Sequence, residues 1–474
     1  MEEKLDMRSP REAWQELADR RRDYYDGCAA EYGGDHGMLA RTGMPGSFWR
    51  RGGKVKLHVP AAADIAATGA SLLFGAEPRF SIFDQSLGDT EEGSQQRLEA
   101  VIAGNGLPRK LREAAECAAA SGDVYLKCRY DRERADMPVI DVVRGEDALP
   151  EYLLGRLRGI HFFTAFRRER QSGRVWRVYE RYAPGCIRTA VFRGTEESLG
   201  EEEPAALAAL GLADCVKPPV EGLLAAHIPN LKPSRLRPED GKGRSDFEGL
   251  RDLMDSLDEV YTSWMRDIRL AKSRLIVPAE FLRRSPSDLF SENRYTYDFD
   301  EDVETLVALD IGGDGAEMKI TPSQFDIRAQ QHAATYESTL RTILTMAGYS
   351  PQSFGLDIEG NAQSGTARRI MERRSLATAA KKQAYWKGPL EAFMTAVMHL
   401  DKALYGNGAL HGDDSVRVEM REAAGEDIGE MAAAVNLLRS ARAASAETAV
   451  RLLHPEWSIK QIEEETGRIR DEER

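Results

Sequence analysis

The sequence predicts an α+β protein, predominantly helical, with most of its strands gathered into one stretch of the first half. Three observations carry that prediction. Apolar residues recur at helical spacing through most of the second half, in runs too extended for one compact monomer. Between Val124 and Phe192 the period shortens to alternation, the pattern of half-buried strands. Of the 474 residues, 42% are hydrophobic and 30% charged, enough for a large core and too little for a membrane protein. The length suggests roughly two to four domains.

The first helix is announced by Ser9, Pro10 and Glu12, a capping box with proline at the first helical position. Trp14, Leu17, Ala18, Arg21 and Tyr25 keep helical spacing until the glycines at 33, 34 and 37. A second helix is predicted over 61–74, stopped by Gly75 and Pro78. Asp64, Thr68 and Ser71 break its apolar run, so it reads as a buried helix rather than a span. A polar loop follows from Asp84 to Ser94. Leu98, Val101 and Ile102, then Leu111, Ala115, Ala118 and Ala119, predict two helices split around Gly104–Pro108.

Strands are predicted at Val124–Tyr130 and Val139–Val143. An antiparallel meander follows over 161–168, 174–182 and 186–192, turning at Ser172-Gly173 and Pro184-Gly185. Residues 196–221 are acidic and Ala-rich and read as a peripheral insertion. Pro229, Pro233 and Pro238, with Gly241 and Gly243, predict a hinge or linker.

One apolar stripe through Leu250, Leu257, Tyr261, Trp264 and Ile268 predicts a helix from Ser245 to about Lys272, spanning roughly 40 Å at 1.5 Å per residue. Residues 275–320 lose that period and show strand-like runs at Arg274–Val277 and Thr305–Leu309, a small α+β insert. Helical spacing returns from Ile327 to Leu344 and ends at Gly348 and Pro351. A polar loop from Gly355 to Gly365 precedes a long helix from Thr366, expected to bend or break at Gly388-Pro389. Three short helices close the chain, over 428–438, 445–453 and 459–469.

Lys and Arg number 65 against 78 Asp and Glu, a formal charge of -13. A generic nucleic-acid binder is basic, so any such contact here is local or deliberately weak. The five cysteines are far apart in sequence, with no C-x-x-C, which speaks against a disulfide framework or structural zinc and fits a reducing compartment. Met1–Pro10 is charged, so no signal peptide is expected there.

Motifs for catalysis are sought and not found. Gly360-Asn-Ala-Gln-Ser-Gly365-Thr366 has the outline of a P-loop but no Lys before Thr366 to reach outer phosphates. The eight histidines form no metal-binding pair, and His454-Pro-Glu456 lacks the downstream cysteines of a zinc deaminase. No G-x-S-x-G elbow occurs. The acidic run Asp298, Asp300, Glu301 and Asp302 lacks EF-hand spacing and reads first as a solvated loop. The expectation is therefore no catalytic residue, no cofactor and no metal. The basic pairs Arg368-Arg369, Arg373-Arg374 and Lys381-Lys382 read as solvated faces or intersubunit ion pairs, with a phosphate-facing role open for those nearest the polar loop.

Taken in order, several stretches resemble the portal proteins of tailed bacteriophages, the head–tail connectors of the SPP1-like family. Ser71-Leu-Leu-Phe-Gly-Ala-Glu-Pro78 is similar to that family's early helix end, and Asn105-Gly-Leu with Ala114–Lys127 to a helix-to-strand step in its wing. Gly243-Arg-Ser-Asp-Phe-Glu-Gly-Leu through Trp264-Met-Arg-Asp-Ile to Leu275-Ile-Val-Pro278 is similar to its first stem helix entering the clip. Ala444-Ala-Ser-Ala-Glu-Thr, His454-Pro-Glu-Trp457 and Glu463–Ile469 resemble its crown. The segments 196–221 and 279–320 fit the pattern less well.

The resemblance implies a portal fold of wing, stem, clip and crown assembled as a ring. Residues 1–244 would be the wing with its meander at 160–193, 245–273 the first stem helix, and 274–323 the clip. Residues 324–348 would be the second stem helix, 349–365 the tunnel loop, 366–423 a long kinked wing helix with the segment after it, and 424–474 the crown. It places Gly355, Asp357, Glu359, Gly360, Asn361, Gln363, Ser364 and Gly365 at the DNA channel, with Arg368 and Arg369 facing phosphate. It makes Arg283, Arg284, Glu292 and Arg294 docking residues of the clip. The implied partners are further copies, as a dodecamer, and double-stranded DNA passing without sequence preference. Terminase large subunit, head–tail adaptor, and major capsid and scaffolding proteins complete the set, with no membrane. The implied locations are the virion's portal vertex and, during assembly, the host cytoplasm. Two other readings are a DNA-processing enzyme with a degenerate nucleotide loop, against which the missing Lys argues, and a non-viral ring-forming scaffold.

Overall fold

A computed structural model describes residues 8–25, 28, 31–32, 57–83, 92–133, 135–236, 238, 241–270, 274–276, 283–286, 295–298, 321–323, 327–356, 365–406, 414–421, 428–454 and 459–472. The chain divides into two compact units: residues 1–47, 60–254 and 341–474 make the first, and 48–59 with 255–340 the second.

Helix α1 (Pro10–Arg20) opens with the expected reciprocal cap: the Ser9 hydroxyl accepts from the Glu12 N–H, and the Glu12 carboxylate takes the Ser9 N–H at 2.8 Å. Helix α2 (Ala61–Phe74) leads to strand β1 (Arg79–Phe83). Helices α3 (Glu92–Asn105) and α4 (Leu107–Ser121) are parted by Gly106 alone, at φ 57. At the end of α4, Gly122 has φ 89, and a Cβ there would lie 2.9 Å from the backbone of Gly243 and Arg244. That close approach brings two distant stretches of chain together.

Strands β2 (Asp123–Arg129) and β3 (Val139–Arg144) pair antiparallel. The meander is larger than its alternation suggests: β4 (Ala148–Leu153), β5 (Arg156–Glu169), β6 (Arg174–Ala183) and β7 (Cys186–Gly194) run in order, all antiparallel. The insertion after them is stitched to the β7 edge. Strand β8 (Glu201–Glu202) pairs Arg193 with Glu201, helix α5 (Pro204–Ala209) follows, and β9 (Cys215–Val216) pairs Ile187 with Val216. Strand β10 (Ala225–Pro229) then joins β2 on its free side.

The proline-rich segment 229–243 is a correction to its reading as a hinge. Asn230, Lys242 and Gly243 are buried, and the Gly243 N–H donates to Asp123 at 2.7 Å. Buried carboxylates accept from the Arg235 and Gly243 amides, so the described ends of the segment are held in place instead of forming a free linker.

Helix α6 (Arg251–Leu270) begins in the first unit and continues into the second. There β11 (Arg274–Ile276) pairs with β14 (Thr321–Ser323), and β12 (Arg283–Pro286) with β13 (Tyr295–Asp298). The run expected at Thr305–Leu309 lies outside the described residues. Helix α7 (Ala329–Ala347) returns to the first unit, followed by a 3-10 turn at Pro351–Phe354. Within the second unit, Trp264 stacks on His332 with ring centroids 6.2 Å apart, and Asp267 accepts from Arg328 and from the His332 ring, each at 2.9 Å.

Helix α8 (Gly365–Tyr405) runs 41 residues without a break at Pro389. Proline withdraws one hydrogen bond there, but Trp386, Leu390, Phe393, Met394 and Val397 are all at most 1% exposed, and packing on both sides holds the helix together. Trp386 meets Phe74 of α2 edge-on at 4.9 Å. Together with α3, α4, β2 and β10 these residues form the core of the first unit. Strand β15 (Ser415–Glu419) pairs with β1, a partnership across more than three hundred residues that no local pattern announces. Helices α9 (Ile428–Ser440), α10 (Ala446–Leu453) and α11 (Ile459–Glu472) follow, and the Ser445 hydroxyl caps α10 by accepting the Thr448 N–H.

Candidate functional site

The polar loop between α7 and α8 is the segment the sequence marks for function, and the first unit holds its base rigidly. Asp246 lies just ahead of α6, Tyr349 just after α7, and Lys382 along α8. The Asp246 carboxylate gathers three donors. Tyr349 Oη and Lys382 Nζ each reach Oδ2 at 2.6 Å, and Asn230 Nδ2 reaches Oδ1 at 2.8 Å. Asp246, Tyr349 and Lys382 are at most 6% exposed. Burial, then the Asp246 charge, pushes the Tyr349 phenol far above its ordinary pKa, so it stays a donor. Gly69 of α2 makes room: a Cβ there would stand 2.4 Å from Tyr349 Oη. The adjacent Lys381 is exposed, so the pair read as one basic face is divided between interior and solvent.

Hydroxyl bonds from α8 brace the chain beyond Tyr349. Ser375 Oγ accepts the Ser350 N–H at 2.9 Å, Thr378 Oγ1 donates to the Gly348 carbonyl at 2.6 Å, and Ser353 and Ser375 share a bond at 2.8 Å. Gly355 follows at φ 77, the left-handed conformation that glycine takes without strain. Gly365 begins α8, and Arg368 and Arg369 fall in its first turns. Asp357, Glu359, Gly360, Asn361, Gln363 and Ser364 lie outside the described residues. In the second unit Arg283 and Arg284 occupy β12, opposite Asp298 and Tyr297. Glu292, Arg294 and residues 299–302 lie outside the described residues.

A second cluster, buried except for Tyr152 at 36% exposed, has the outline of an acid–base relay. Asp123 Oδ1 faces His227 Nε2 at 2.7 Å, Oδ2 takes Arg20 at 3.2 Å, and His227 Nδ1 meets Tyr152 Oη at 2.6 Å. Burial alone would raise the Asp123 carboxyl, but His227, Arg20 and the Gly243 amide outweigh it and hold the pKa low. Burial lowers His227, leaving a neutral ring that donates from Nε2 and accepts the Tyr152 hydroxyl at Nδ1. Tyr152's own pKa is raised by burial, so it supplies no phenolate nucleophile. The cluster ties α1, β2, β4, β10 and the 243 crossing together. Sequence reading misses it because its four side chains come from segments up to about two hundred residues apart.

The five cysteines are all free, yet Cys186 Sγ and Cys215 Sγ lie 3.6 Å apart where β9 pairs with β7. Their separation in sequence hides that. Among the described residues no three His, Cys, Asp or Glu side chains gather as a metal site, and no helix is long and apolar enough to cross a membrane.

Comparison with known proteins gives one family. The profile described as phage portal protein, SPP1 Gp6-like, matches residues 18–473. A search of curated proteins finds no match. Among solved structures, the chain is similar to one from the neck of an empty gene transfer agent particle computed with C6 symmetry. That likeness has 13% identity, covers 87% of this chain and 92% of the other, and has a TM-score of 0.43. It is also similar to a chain of the virion of a native gene transfer agent particle, at 10% identity, 83% and 89% coverage, and a TM-score of 0.39.

Proposed function

The chain belongs to the SPP1 Gp6-like family of phage portal proteins, and on that premise we propose that it forms the ring at a capsid vertex through which double-stranded DNA is packaged and ejected. The observation that carries the reading is the family match across 18–473, nearly the full chain. The family is structural, so the chain's part in transport is geometric. A separate terminase supplies the motor, docking first, and head–tail adaptors follow. Capsid and scaffolding proteins surround the ring.

In this reading Arg283, Arg284, Glu292 and Arg294 present the docking surface of the clip. The stretch from Gly355 to Gly365 faces the DNA, and Arg368 and Arg369 sit near its phosphates. Two properties support it. A conduit must not hold its cargo, and the loop is rich in Gly, Asn, Gln and Ser, with no Lys or Arg to release counterions on binding. Its base is fixed by buried bonds to Asp246 and Ser375 while its middle offers little apolar surface to bury. A closed ring also needs a heterologous interface whose rotation closes.

Mass photometry with negative-stain imaging of the purified chain tests this. The expected result is a species of about twelve or thirteen copies with a central hole. A 52.8 kDa monomer at every salt and protein concentration overturns it.

A further inference from the structure

We propose that a cationic pocket in the first unit receives carboxylate side chains from a second copy of this chain. The inference rests on the ring reading and names a contact that would close the ring.

The pocket encloses about 360 Å³ and is lined by Arg235, Arg244, Arg374 and Lys381. Arg374 and Lys381 lie seven residues apart on one face of α8, and the two other arginines come from the stretch between β10 and α6. Arg235, Arg374 and Lys381 are exposed and Arg244 is half-buried. No carboxylate lines the pocket; the Arg235 backbone N–H donates to Glu248 at 2.6 Å, but none of the four cationic side-chain groups meets a carboxylate among the described residues. The buried and nearly buried cations of the first unit differ: Arg20, Arg97, Lys127, Arg181 and Lys382 each have a carboxylate within 3.2 Å. Among the described residues these four cations have no carboxylate to balance them and repel one another, while the chain as a whole carries a charge of -13. Such a site accepts anions supplied by a neighbouring copy.

The shape of the pocket selects among anions. Leu231 and Met346 add apolar surface to the lining, and Met346 is 53% exposed, large for a side chain with nothing to cover it. A DNA duplex offers convex ridges of phosphate and no apolar group, so it fits neither the concavity nor the apolar wall. An Asp or Glu side chain fits both, its methylenes on Leu231 and Met346 and its oxygens on the guanidinium and ammonium groups. Copies of an acidic chain repel as wholes, so close packing in a ring needs local complementarity, and this pocket supplies the positive half.

The test uses the full chain. Equal amounts of normal and uniformly heavy-isotope protein are mixed, assembled and treated with a zero-length carbodiimide, which joins Lys381 to a carboxylate in contact with it. Mass spectrometry of the peptides should show Lys381 linked between light and heavy chains. Alongside, the double substitution Arg374→Glu with Lys381→Glu, both at exposed helical positions, should raise the protein concentration needed for assembly about tenfold or more, with the monomer's melting unchanged. The pair Arg374→Lys with Lys381→Arg should assemble nearly as the parent does. Links through Lys381 confined to one isotope, or normal assembly of the double glutamate variant, overturn the proposal while leaving the ring intact. So does a double variant that assembles normally but loses binding to a duplex DNA fragment, which would reassign the pocket to phosphate. If the parent itself never assembles, the ring reading fails together with this one.

Discussion

In the first unit Asp123, Lys127, Lys382 and Asp401 are at most 1% exposed, and each is paired. In the second unit the Asp267, His332 and Arg328 cluster sits with side chains 23%, 14% and 68% exposed, and Asp258, bonded to His58 and the Val59 amide, is the buried exception among the described residues. The same residue types thus do different work. Desolvated pairs cannot be rearranged without leaving a bare charge, so they fix geometry. Solvated pairs exchange water for partners at little cost and are worth little to stability. Among the described residues, then, the first unit keeps several charged pairs in its interior, whereas the second keeps all but Asp258 nearer the surface.

The strongest way to break that contrast is to neutralise one carboxylate in each unit. Asp246→Asn strands the Lys382 ammonium in the interior and should cost about 3–5 kcal/mol in denaturant unfolding. Asp267→Asn should leave the melting temperature unchanged within error. Equal effects would erase the distinction. Gly69→Ala probes the same buried cluster by volume. Its methyl must displace Tyr349 Oη, for an expected loss of about 1–3 kcal/mol by the same measurement.

A third probe is pH. Burial depresses the pKa of His161 and of His227, both in the first unit. Each is neutral when folded and titrates near 6.5 when unfolded, so the unfolded chain binds the extra protons. The stability they contribute is present above about pH 6.5 and is lost as the pH falls through that value toward their lower folded pKa values. Melting temperatures should fall between about pH 7.5 and 5.5, and His227→Gln should flatten the slope even though it lowers the starting point. A slope unchanged by that substitution would show that His227 is not the sensor.

The smallest expected effect lies at the edge of the sheet. A mild oxidant such as oxidised glutathione should join Cys186 to Cys215, with loss of two hydrogens in the intact mass. The bond closes the loop that carries α5 and should slow proteolysis there, leaving the global melting nearly unmoved. No mass change, or a linkage that survives Cys215→Ser, would exclude the pair.

What was legible in the sequence was local. The Ser9–Glu12 cap, the α4 stripe of Leu111, Ala115 and Ala118, and the alternation of β5 to β7 each depend on neighbours a few residues away. What was hidden depends on tertiary pairing. Residues 79–83 meet 415–419 with no pattern in either segment to say so, and α8 passes Pro389 because residues from distant strands pack against it. Lys381 and Lys382 are identical in sequence and differ by one step of helical rotation, which puts one in the pocket and the other on Asp246. Of the site, the loop could be seen as a polar interruption between helices, but not the carboxylate that fixes its base.

That carboxylate also has a consequence on the scale of descent. Asp246, Tyr349 and Lys382 belong to three separate segments, and loss of any one leaves a buried polar group unsatisfied on the others. Single-step replacement therefore passes through a damaged intermediate, whereas replacement of the whole group by apolar residues does not. Across related chains these three positions, with the glycine that accommodates them, should change in concert or not at all, so their covariation would identify relatives that share this junction even where overall identity has faded.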